Sequence, residues 1–255
     1  MGRVFSALYG DDFQGAKRRI FLDDDNDFDE APKSTEVDNS EFGYENVVFA
    51  SSEIKNSRWW RNIGRIAVNL VVALEKKKSK SHLIMFSGLA RNVGNTVVAE
   101  GIANVLWQEH PDHRFLIISI REPLDERDVS LVDLLGSNVS PNDILKSISE
   151  GTVHKLYGGP PTRDNATHHL REFLISAKAH FNWIIVDVPP FVESPINETI
   201  GRIADGIVIV ANAGSTRVPT LNALTDEIEN LGLSILGLIL NRRKYPLPKW
   251  LLRYL

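Results

Sequence analysis

Residues 82–109 read HLIMFSGLARNVGNTVVAEGIANVLWQE: a short apolar run, a loop and an amphipathic stretch in immediate succession. Leu83-Ile84-Met85-Phe86 shows no polar alternation, which predicts a parallel strand covered on both faces. Ser87-Gly88 ends it, and Val97, Val98, Ile102, Val105 and Leu106 then recur at helical spacing. A loop that joins a strand to a helix N-terminus is where phosphate-binding loops sit, because backbone N–H groups and the helix dipole converge there. The full pattern for such a loop is Gly-x-x-x-x-Gly-Lys-Ser/Thr. The corresponding run here is Leu89-Ala90-Arg91-Asn92-Val93-Gly94-Asn95-Thr96. The second glycine and the threonine are in place, but Leu89 replaces the first glycine and Asn95 the lysine. The stretch has the outline of a nucleotide loop without its main positive charge.

The segments on either side extend the same architecture. Upstream, Lys55–Lys78 predicts a helix with Trp60, Ile63, Ala67, Leu70, Val71 and Leu74 on one side. Arg58, Arg61 and Arg65 share another face, either solvated or set against a second subunit. Downstream, Arg114–Ile120, Thr152–Tyr157, Trp183–Asp187, Gly206–Ala211 and Ser234–Leu240 read as strands. Helices are predicted from Pro141, with Ser140 as N-cap, from Asn165 to His180 and from Pro219 to Leu231. Regular alternation of strand and helix predicts an α/β fold, an open, mostly parallel, doubly wound sheet. Such sheets bind ligands beyond the carboxyl ends of their strands, where both the loop and Asp187 fall.

Composition bounds the rest. The chain has 255 residues, 43% of them hydrophobic, enough for one large core plus tails. Net charge is −4 but uneven: residues 1–50 hold 12 acidic and 5 basic side chains. This stretch, with FLDDDNDFDEAPKSTEVDNSE within it, predicts a disordered acidic arm, because it has too little apolar surface to order itself. Phe5, Leu8, Tyr9, Phe13 and Ile20-Phe21-Leu22 are its candidates for a docking segment. Three parts follow: the arm at 1–50, an α/β domain at 51–241 and a tail at 242–255. With no cysteine, disulfide and thiolate chemistry are excluded, which suits a reducing cytosol. No apolar run approaches the roughly 20 residues that cross a bilayer, and no early segment reads as a signal peptide.

Five segments taken together carry a resemblance. They are Ser87–Ala103, LYGGPPTRDNATHHLREFL at Leu156–Leu174, FNWIIVDVPP at Phe181–Pro190, ADGIVIVANAGSTR at Ala204–Arg217, and LGLSILGLILNRR at Leu231–Arg243. In this order, over roughly residues 58–241, they resemble bacterial tyrosine kinases of exopolysaccharide and capsule synthesis. These are relatives of the cell-division and partition ATPases with deviant phosphate loops. The resemblance implies a sheet of the P-loop NTPase type. It further implies a site in which the loop lysine meets the terminal phosphates and the next hydroxyl helps hold magnesium.

On that pattern the chain departs at the charged positions. Arg91, Asn92, Gly94, Asn95, Thr96 and Asn241 are the positions that would surround a nucleotide. Thr96 and Asp187 are those that would hold magnesium if it binds. Asn95 donates a hydrogen bond but brings no charge, and Arg91 is the neighbouring candidate to replace it. Asn92 suits a positive φ better than most residues. The family's second acidic motif aligns with Ile117-Ile118-Ser119, so both of its aspartates are gone. Asp187 matches the remaining acidic position and is the single candidate catalytic residue, yet phosphoryl transfer needs a cation and metal beside it. Structural roles compete for the same residues. Thr96 suits an N-cap, Asp187 a partner for backbone donors at a strand end, Asn241 a strand end, and His168-His169 an exposed helix face.

The last segment, RRKYPLPKWLLRYL, holds Arg242, Arg243, Lys244, Lys249 and Arg253 beside Trp250, with no acidic residue. Such a segment suits an anionic membrane surface or a membrane protein, or packing on the domain itself. Nothing suggests nucleic acid. The expectation is a non-catalytic, kinase-like regulatory or scaffold subunit of exopolysaccharide or capsule synthesis, with no cofactor. It would sit in the cytoplasm at the inner face of the membrane. Its partner would be the membrane chain-length-determinant protein or an active kinase paralogue, and self-association is open. One alternative is an active ATP- and magnesium-dependent autokinase or ATPase with a rearranged loop. Another is a membrane-surface scaffold acting through the tail.

Overall fold

The computed structural model describes residues 19–23, 45–46, 58–75, 77, 79–120, 131, 135, 141–147, 153–158 and 166–243. Its strands are β1 (Arg19–Asp23), β2 (Glu45–Asn46), β3 (His82–Gly88), β4 (Phe115–Ile120), β5 (Val153–Gly158), β6 (Trp183–Val188), β7 (Gly206–Asn212) and β8 (Ile235–Arg243). The helices are α1 (Arg58–Glu75), α2 (Asn95–Glu109), α3 (Pro141–Ser147), α4 (Ala166–Ala177), α5 (Ile196–Ile203) and α6 (Val218–Asn230), with a 3₁₀ turn at Phe191–Glu193.

The strands form one open sheet in the order β1-β8-β7-β3-β6-β4-β5-β2. Its six central strands are parallel throughout, as the alternating sequence predicts. Burial on two faces explains the unalternated apolar runs. Leu83 and Met85 enter one core, with the helices α3 to α6 on its outer side. Their neighbours Ile84 and Phe86 enter a second core beneath α1 and α2. The helix face predicted for α1 packs as expected through Ile63, Ala67, Leu70 and Leu74, while Arg61 and Arg65 are exposed. At Gly101 of α2 the helices meet so closely that an added Cβ would lie 2.7 Å from the Trp59 ring. That contact sets how closely α1 and α2 pack.

Three features were not foreseen. Two stretches of the acidic arm pair with the sheet: β1 runs parallel to β8 and β2 antiparallel to β5. The apolar Ile20-Phe21-Leu22 lies in β1, along an edge whose backbone donors and acceptors would otherwise lack partners. The other arm residues lie outside the described ones. The 3₁₀ turn and α5 follow the Pro189-Pro190 break, where the sequence shows little periodicity. Finally, β8 continues through Arg243, past the predicted domain end at residue 241. Tail residues Lys244, Lys249, Trp250 and Arg253 lie outside the described residues.

Candidate functional site

The loop after β3 turns back on itself through two left-handed residues, Asn92 with φ 59° and Gly94 with φ 82°. Asn92 takes the conformation that the sequence allowed it. At Gly94 any Cβ would overlap the Asn241 side-chain amide, so glycine is required on two counts. Asn241 itself donates to the Val93 carbonyl at 2.8 Å, tying β8 to the loop. The next residue, Arg242, also has a positive φ of 54° and donates to the Asn92 carbonyl at 2.8 Å. Arg242 was assigned by sequence to the tail. It instead braces the loop.

Helix α2 begins at Asn95, with Gly94 in the N-cap position and no side-chain cap. Of the roles open to Thr96, the cap is therefore not the one taken: its hydroxyl donates to Asp187 Oδ2 at 2.6 Å. For Asp187, the competing role as a partner of backbone donors is not the one seen either. Its carboxylate accepts from side chains, namely Thr96, Ser119 at 2.9 Å and the Asn95 amide. The register explains the set, because Asp187 in β6 pairs with Ser119 in β4 on one side and Phe86 in β3 on the other. Ser119, seen in the sequence only as a lost aspartate, thus becomes a donor to the aspartate that remains.

Asn95 points into the sheet. Besides Asp187, its amide nitrogen faces the carbonyls of Phe86 at 3.0 Å and Val188 at 3.3 Å. Its side-chain oxygen is buried without a partner. The residue in the lysine position ties the ends of two neighbouring strands, β3 and β6, together and brings no charge toward the solvent side.

Asp187 is 4% exposed. Burial raises its pKa from 3.8 to about 6, against the hydrogen bonds from Thr96 and Ser119, which favour the ionised form. The Glu100 carboxylate nearby adds to the rise. Glu100 is in turn paired with the nearly buried Lys155 of β5 at 2.8 Å.

Above these residues lies a cavity of about 440 Å³. Arg91, Asn92, Gly94, Asn95, Thr96, Asp187, Glu193 and Arg242 all border it. Most of the predicted site residues are thus brought together, with Asn241 just behind the loop. Arg91, the candidate replacement for lysine, is bound to Glu193 Oε2 at 2.7 Å. Glu193 was missed because it lies in the unforeseen 3₁₀ turn. Its one signal was a carboxylate closely following the strand-ending prolines. As a donor set for a magnesium nucleotide the site fits poorly. It lacks the lysine and the second acidic motif, and its one central carboxylate already accepts three side-chain hydrogen bonds.

His168 and His169 lie on α4 within reach of Glu172, at 3.2 and 3.7 Å, as expected of a helix surface. No group of three or more metal-ligating side chains occurs among the described residues, and none of their helices is long and apolar enough to cross a membrane.

The open parallel sheet and its loop match the P-loop-NTPase-like fold, which MinD- and ParA-type ATPases share. The MinC:MinD cell division complex of Aquifex aeolicus superposes with a TM-score of 0.52 at 18% identity, over 64% of this chain and 70% of that one. Among proteins of known activity, the chain is similar to bacterial tyrosine kinases. The tyrosine-protein kinase YwqD of Bacillus subtilis is 24% identical over 209 residues, 77% of this chain and 86% of that protein. Tyrosine-protein kinase Etk of Escherichia coli is 22% identical over 174 residues, 64% of this chain but only 24% of its own length. The solved kinase domain of Etk superposes with a TM-score of 0.57 at 21% identity, covering 80% of this chain and 85% of that domain. No family model matches the chain.

Proposed function

We propose that this chain is a kinase-like regulatory subunit of exopolysaccharide or capsule synthesis that does not itself transfer phosphoryl groups. The observation that carries the reading is Asn95, which stands in the lysine position with its amide turned to Phe86, Val188 and Asp187. Phosphoryl transfer depends on positioning plus neutralisation of the phosphate charge. Here the loop cation is missing, and Ser119 stands where a second carboxylate would be. Kinship with tyrosine kinases supports a role in the same kind of system. In this reading the partner is a membrane chain-length-determinant protein or an active kinase paralogue, and the chain lies at the inner face of the membrane. The basic tail would supply part of that attachment.

Turnover tests it. The full chain is incubated with ATP and magnesium, then assayed for released phosphate and phosphotyrosine. Background levels of both are expected. Turnover that vanishes in Asp187→Ala would overturn the reading and restore the enzyme alternative.

A further inference from the structure

The cavity is bordered by two basic residues among the described ones, Arg91 and Arg242. Arg242 is engaged with the Asn92 carbonyl. Arg91 is engaged with Glu193 across the mouth, joining the loop after β3 to the loop after β6. The carboxylate therefore sits against the cation that a phosphate entering this cavity would meet.

The turn that presents Glu193 is built, not incidental. Pro189-Pro190 ends β6, and the Glu193 backbone N–H closes the turn on the Pro190 carbonyl at 2.8 Å. Fully buried Asn197, from α5, directs its side-chain amide at the carbonyls of Pro189, Pro190 and Phe191, at 3.2, 3.1 and 3.2 Å. The backbone carrying the carboxylate is thus fixed from below. The pair itself remains open to solvent, with Arg91 63% and Glu193 33% exposed. A dissolved anion can reach the arginine, but it must displace a carboxylate that is already there.

We propose that Glu193 is a built-in competing anion, an autoinhibitory contact that holds Arg91 and screens the cavity against phosphate-bearing ligands. An exposed ion pair is weak and leaves room for displacement. Glu193 also repels an incoming phosphate as a like charge at close range. Both effects vanish when the carboxylate becomes an amide of the same shape.

The probe is pyrophosphate without magnesium, titrated calorimetrically into the full-length chain at low salt. Because it needs neither metal nor turnover, its outcome is independent of the catalytic question. Glu193→Gln is expected to bind roughly five- to tenfold more tightly than the unmodified protein, the scale of an exposed pair plus the relieved repulsion. Adding Arg91→Gln to that variant should remove the whole gain. Unchanged affinity in Glu193→Gln, or no binding by it at millimolar pyrophosphate, would overturn the proposal. So would a gain that survives loss of Arg91. Thermal melts of each variant verify that the fold is intact.

Discussion

Replacing Asp187 by asparagine tests the electrostatics of the site directly. The carboxyl titrates at about 6 in the fold against an ordinary value of 3.8. A folded pKa above the unfolded one means that protonation favours the fold. The resulting stability is fully present below pH 3.8 and is lost as pH rises through 6. One pH unit across that window corresponds to about 1.4 kcal/mol. Between pH 8 and pH 5 the unmodified protein should therefore gain about 1.4 kcal/mol from Asp187 alone. Other titrations, including the opposing histidines, contribute to both proteins and cancel in their difference. Urea denaturation of the unmodified protein and of Asp187→Asn, at both pH values, measures that difference. Relative to the variant, the unmodified protein should gain about 1.4 kcal/mol on acidification. A difference that is the same at pH 8 and pH 5 would refute the buried, raised carboxylate.

At the opposite end of β6, Trp183 donates its indole N–H to His113 Nδ1 at 3.1 Å, with the His110 ring stacked on His113 and the His82 ring tilted against Trp183. Burial lowers the pKa of His82 and of His113, so their contribution is present above pH 6.5 and is lost as pH falls through the folded values. His113→Gln, which keeps an uncharged acceptor, should lose less stability than the unmodified protein between pH 7.5 and 5.5. Equal losses in paired urea titrations would dismiss the histidine. Gly94→Ala should cost at least about 1–2 kcal/mol, since it puts a Cβ on a left-handed residue and into the Asn241 amide. A thermal melt unchanged by that substitution would contradict the loop geometry.

Most of the fold was legible because its strands are buried on both faces. A run such as Leu83–Phe86 or Ile184–Val186 has no solvent side, so its apolar composition alone marks it. The positions of Asp187 and of the loop were legible for the same reason, since each lies where such a run stops. What the residues do there was not. Thr96 reads as a cap until the helix is seen to begin at Asn95, one residue earlier, and Ser119 reads as a loss until its hydroxyl is found on Asp187. Glu193 and Asn197 belong to a turn whose bonds run mainly to backbone carbonyls, a pattern that leaves no periodic trace. The pairing of β1 was hidden by its setting. Five residues lie within a strongly acidic stretch, and the acidic composition outweighed Ile20-Phe21-Leu22 in the reading.

With Asn95 turned into the sheet beside a carboxylate already bonded to Thr96 and Ser119, we propose that the loop holds no magnesium nucleotide. Isothermal titration of the full chain with ATP and magnesium measures this most directly. No binding isotherm is expected at micromolar ATP. A clear micromolar isotherm that disappears in Asp187→Ala would contradict it.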